Sequence, residues 1–153
     1  MWAFFKKKPV SYFSAAEKEQ ICLAITAAEK RTSGEIRVFI ESSCHPSTPM
    51  SRATTVFHQL QMEKTAARNG VLVYVAMKDK LLAIYGDEGI HARVGEAFWQ
   101  QEVKNMVTHF SGSQYVEGII AIVQDIGEAL RSHFPYDEKG DQNELPNDIV
   151  FGD

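Results

Sequence analysis

Apolar residues recur along this chain with two periods, and the switches between them lay out the elements. Ile21, Ile25 and Ala28 fall at helical spacing, and Ser14-Ala15-Ala16-Glu17 just upstream has the form of a capping box. Gly34 is the expected stop, since glycine takes the left-handed backbone that ends many helices. The period then changes to two: Ile36, Val38 and Ile40 alternate with Arg37, Phe39 and Glu41, which predicts a strand. After a polar loop from Ser42 to Pro49, Ser51 is expected to open a second helix. Ala53, Val56, Phe57 and Leu60 face inward, and Asn69-Gly70 closes it.

Val71 to Ala76 is a continuous apolar run, the mark of a central strand covered on both faces. Met77 to Lys80 reads as a hairpin turn, and Leu81 to Tyr85 as the returning antiparallel strand. Gly86-Asp87-Glu88-Gly89 breaks that strand. A third helix carries Phe98 or Trp99, then Val103, Met106 and Phe110. Ser111-Gly112-Ser113 separates it from a fourth, on which Tyr115, Ile119, Ile122, Ile126 and Leu130 share a face up to Phe134-Pro135. A helix between the first two strands favours parallel pairing. Helices on both faces of a small mixed sheet make an α/β fold, a three-layer α/β/α sandwich. Residues 1–13 are expected to form an N-terminal arm, residues 14–134 the domain, and residues 135–153 an acidic tail, flexible or draped on the surface, with pinning by Leu145, Ile149 and Phe151 as the alternative.

Composition narrows the function classes. A length of 153 residues suits one domain, and a hydrophobic fraction of 44% is that of a globular chain. The formal net charge of -4 argues against nucleic acid as a partner. Cys22 and Cys44 make neither a disulfide framework nor a zinc site, which points to a reducing, cytoplasmic setting. No run approaches the ~20 apolar residues of a membrane span. The start, with Trp2, Phe4 and Phe5 before Lys6, Lys7 and Lys8, has the wrong order for a secretory signal. It suits either aromatics docked on the domain or a peripheral contact with a membrane surface.

Several segments together resemble the TPM domain family: Thr32-Ser33-Gly34-Glu35-Ile36-Arg37-Val38, Arg68-Asn69-Gly70-Val71-Leu72-Val73-Tyr74-Val75-Ala76, Gly86-Asp87-Glu88-Gly89-Ile90, Phe98-Trp99, and Gly118-Ile119-Ile120 with Ile126-Gly127. Their order and spacing match over roughly Ser14 to Phe134. The form is that of a bacterial stand-alone member, without the signal and membrane helix common in the family. The resemblance implies an α/β/α sandwich. It also implies kinship with thylakoid-lumen proteins described as acid phosphatases, calcium binding in some members, and bacterial members that sit beside LemA-type membrane proteins.

Candidate chemistry concentrates at the loop after the hairpin. Hard cations need oxygens in number, and Asp87, Glu88, Asn69 and Glu35 are the expected ligands of a divalent cation, Ca2+. The competing reading makes Asp87 a helix cap, the glycines turn residues, and Glu35 with Arg37 a solvated pair. A phosphatase needs cationic groups as well, for which Arg37, Arg68 and Arg93 qualify by charge alone. His45, His58, His91, His109 and His133 are scattered, and Cys44-His45 is an adjacency without evident dyad geometry. Trp99 at helical spacing reads as core. The expected function is an auxiliary or binding domain with a divalent cation and a membrane-associated, LemA-type protein partner. The alternative is a weak metal-dependent acid phosphatase.

Overall fold

The computed structural model describes residues 12–136 and 149–152. The arm from Met1 to Lys8, and Asp137, Asp141, Asn143, Leu145 and Asp148 of the tail, lie outside the described residues. The elements run α1 (Ala15–Glu29), β1 (Glu35–Glu41), α2 (Pro49–Gln59), β2 (Gly70–Ala76), β3 (Leu81–Gly86), α3 (Glu88–Val94), α4 (Glu96–Ser111), α5 (Tyr115–His133) and β4 (Val150–Phe151).

The strands order as β3-β2-β1-β4. β1 pairs parallel with β2, Glu35 opposite Gly70 through Glu41 opposite Ala76, and α2 makes the crossover. β3 returns antiparallel to β2. Ile36, Val38, Ile40, Val71, Val73 and Val75 pack beneath α1, α3, α4 and α5. Phe39, Leu72, Tyr74 and Ala83 pack against Val56 and Phe57 of α2. These two apolar layers on one sheet make the three-layer α/β/α sandwich. They also explain why β1 and β2 are buried at every position.

Several boundaries differ from expectation. α1 starts at the capping box as read, with Ser14 Oγ accepting from Glu17 N and Glu17 Oε1 accepting from Ser14 N. It ends at Lys30, still right-handed, so Gly34 is not its stop. Gly34 instead faces the Leu130 side chain of α5. α2 starts earlier than Ser51, because Thr48 caps it and Pro49 occupies the first turn, where a missing N–H costs nothing. It ends at Gln59, ten residues before Asn69-Gly70, which belong to the loop and to β2. One expected helix is two: Gly95, with φ of 80°, turns the chain between α3 and α4. Val150 and Phe151 form a strand beside β1, and Ile149 is buried, so the end of the chain joins the sheet.

Candidate functional site

The expected site is built where three strand ends meet. Asp87 N donates to Gly70 O (2.9 Å), so the end of β3 lies beside the start of β2. Asp87 caps α3, its Oδ1 accepting from Glu88 N at 2.8 Å. Gly89 is forced by close approach: its N donates to Arg68 O, and a Cβ there would lie 2.1 Å from Ala67 O.

Arg68 organises this corner, held at a φ of 52°. Its Nε and NH2 reach both oxygens of Asp87, at 2.6 and 2.8 Å, and its NH1 reaches Glu88 Oε1 at 2.9 Å. The Asp87 side chain is only 2% exposed, whereas that of Arg68 is 40% exposed. The hydrogen bonds that Arg68 donates to Asp87 raise its pKa further, so the guanidinium is a permanent charge here. Asp87 and Glu88 are therefore joined by a cation that the chain itself supplies, in the two-pronged geometry that suits a guanidinium and a carboxylate.

Of the other two expected ligands, Asn69 adjoins this corner through the backbone, between Arg68 and Gly70, and Glu35 lies apart from it. Glu35 is opposite Gly70, and Gly70 is bonded to Asp87, so two strand spacings of about 4.8 Å each separate Glu35 from Asp87 along the backbone. Asn69 Nδ2 donates to Ser33 Oγ at 3.3 Å, and the buried Oδ1 has no hydrogen-bond partner among the described residues. Glu35 is buried beside Glu29 of α1, so the idea of Glu35 and Arg37 as a solvated pair fails: both are buried. Glu29 Oε2 accepts from Ile36 N (2.7 Å). Burial raises the Glu29 carboxyl to about 9 against that hydrogen bond, and the neighbouring Glu35 carboxyl adds to the rise. Glu29 was not singled out in the sequence, where its position at the end of an amphipathic helix resembles any surface acid. Among the described residues, no group of three or more His, Cys, Asp or Glu side chains is placed to hold a metal.

The three arginines offered for phosphate sit in separate settings. Arg37 is buried in β1, Arg68 is engaged as above, and Arg93 lies over the Phe134 ring. Cys44 and His45 do not form a nucleophile–base pair. Ser43 Oγ, Cys44 N and His45 Nε2 all converge on Asp79 Oδ2, at 2.6, 3.0 and 3.7 Å. Burial, then the Asp79 charge, pushes the Cys44 thiol up, away from the reactive thiolate. Nearby, Glu41 accepts from Arg52 (Nε 2.8 Å, NH2 3.1 Å) and from the Tyr74 hydroxyl. That network holds α2 to the far ends of β1 and β2.

A cleft of about 410 Å³ opens next to the Asp87 corner. Met50 of α2 stands on one side and His91, Glu96 and Trp99 of α3 and α4 on the other, with Ile84, Tyr85 and Gly86 of the edge strand β3 between them. Trp99 is core, as expected, and its ring lies where a Gly86 side chain would be. Its Nε1 donates to His91 Nδ1 at 3.0 Å, which leaves the imidazole proton on Nε2.

These features define a small α/β/α domain with a preorganised, charge-paired corner and an adjoining cleft. The chain belongs to the TPM domain family, whose model matches residues 7–129. It is similar to the BA42 protein of the psychrophilic bacterium Bizionia argentinensis, known from an NMR structure: identity is 40%, the TM-score 0.85, and the match covers 92% of this chain and 96% of that one. Two further solution structures share the fold at 16% identity. One is the N-terminal domain of a protein from P. gingivalis (TM-score 0.66, covering 82% of this chain and 83% of that one). The other is the N-terminal domain of the cg2496 protein from Corynebacterium glutamicum (TM-score 0.59, 77% and 74%). None of the curated proteins matches the chain. Among the described residues no helix is long and apolar enough to cross a membrane.

Proposed function

We propose that this TPM domain is a non-catalytic binding module that docks on a membrane-associated protein, of the LemA type that the family resemblance suggests. The observation that carries this reading is the Arg68–Asp87–Glu88 network. Its buried acid, Asp87, has both oxygens engaged by Arg68 and caps a helix besides. Such a carboxylate shapes a surface. A general base or a metal-activated hydrolase instead keeps an oxygen open toward substrate or metal. The test is co-sedimentation of the full chain with bacterial membranes and with vesicles of the lipid extracted from them. The module reading expects pelleting with membranes that retain their proteins and none with lipid alone. Equal pelleting with both, or none with either, overturns it.

A second reading keeps calcium at this corner, and two observations favour it. Asn69 Oδ1 is a buried acceptor without a partner among the described residues, and Arg68 already places a positive charge between Asp87 and Glu88. Because Arg68 is partly exposed, its side chain can swing out without opening the core. Calorimetric calcium titration tests this. The reading expects binding by the wild type, tighter binding by Arg68→Ala, and weaker binding by Asp87→Ala. Absence of binding in both wild type and Arg68→Ala removes it.

A further inference from the structure

We infer that the cleft between α2, β3 and α4 takes a basic side chain, an arginine or lysine presented by the partner; this rests on the binding-module reading above. Three carboxylates (Asp87, Glu88 and Glu96) line the cleft against one guanidinium, that of Arg68. Arg68 is spent on Asp87 and Glu88. Glu96, exposed on the first turn of α4, has no basic partner among the described residues. His91 adds no compensating charge while its Nδ1 accepts from Trp99.

The rest of the lining suits the stem of such a side chain. Met50, Ile84, Tyr85 and Trp99 supply apolar and aromatic surface beside the carboxylates. Long basic side chains bury their methylenes on apolar walls and keep the charged head at a polar rim, and a guanidinium also stacks on aromatic rings. A bare divalent cation would find one free carboxylate here, fewer oxygens than it needs. An acidic occupant would face a net negative lining, three carboxylates against one guanidinium, and be repelled. The Arg68 guanidinium, seated against Asp87 and Glu88, shows that this corner already accommodates the group proposed for the partner.

The probe is the tripeptide Gly-Arg-Gly, titrated into the full-length, 15N-labelled chain, with Gly-Gly-Gly and Gly-Glu-Gly as controls. Saturable shifts at Gly86, Glu96 and the Trp99 indole N–H are expected with Gly-Arg-Gly alone. Binding should be at least fivefold weaker in Glu96→Gln, an exposed substitution whose fold the same spectrum checks. Shifts no larger than those with Gly-Gly-Gly, or a Glu96→Gln variant that binds as well as wild type, overturn the inference. Preference for Gly-Glu-Gly also overturns it while leaving the module reading in place. That reading fails separately, through the membrane co-sedimentation above.

Discussion

Residue positions around Asp87 are dictated by backbone contacts as much as by charge. Gly89 sits so close to Ala67 O and Arg68 O that any Cβ collides with backbone, which no rotamer can relieve. Gly89→Ala should therefore cost about 2–4 kcal/mol, as overpacking against rigid atoms does. Urea unfolding of the variant measures it, and a loss below about 0.5 kcal/mol, the range of neutral surface changes, would refute the close packing. The local pattern was partly legible. Asp-Glu-Gly after a strand reads as a cap and turn: Asp87 is the cap, but Gly86 belongs to β3 and Gly89 to α3 rather than to a turn. Arg68 was legible only as a charge: the antiparallel hairpin could be read, but not that Arg68, 19 residues before Asp87, turns its guanidinium onto that carboxylate. Glu35 opens β1 and Asp87 follows β3, which leaves their distance open in the sequence; the sheet order sets it at two strand spacings.

At the scale of elements, the α4–α5 pair carries a further buried acid. Glu102 is buried on α4 with one oxygen lacking a partner among the described residues, beside Asp125 of α5. Burial, then the interaction with Asp125, raises Glu102 to about 7 from an ordinary 4.5. The folded state then holds a proton that the unfolded chain has released, over the window from pH 4.5 to about 7. Its contribution is most favourable below 4.5, declines as pH rises through that window, and is level above it. Glu102→Gln, which mimics the protonated acid, should match wild type near pH 5 and exceed it at pH 8 by about 1–3 kcal/mol. Chemical denaturation at the two pH values checks this. A wild type equally stable relative to the variant at both would contradict it. Periodicity revealed the two long helices because their apolar stripes are regular, whereas α3 was merged with α4 because Gly95 breaks direction without breaking the run of helix-forming residues.

For the whole molecule, the end of the chain completes the sheet. Val150 and Phe151 pair with Phe39 and Ile40, and Gly152 packs against Phe39 and Glu41. Ending the chain after Tyr136 would uncover that side of β1 and leave an apolar edge open to other chains. A lower melting temperature and concentration-dependent light scattering are expected, and an unchanged melting temperature would show that β4 adds nothing to stability. A two-residue strand after an acidic, aperiodic stretch gives too short a pattern to read. The sandwich was readable in advance because its β1 and β2 segments are apolar on both sides and joined through a helix, and that arrangement admits few packings. Function stayed less legible, since it turns on which carboxylates are already paired.

That pairing is the centre of the account, and hydrolysis of p-nitrophenyl phosphate tests it most directly. Wild type and Asp87→Ala should be assayed from acidic to neutral pH, with calcium or magnesium supplied. A carboxylate engaged by Arg68 predicts rates equal to buffer for both proteins at every pH. Turnover by the wild type that Asp87→Ala abolishes would contradict the account and make this corner a phosphatase site.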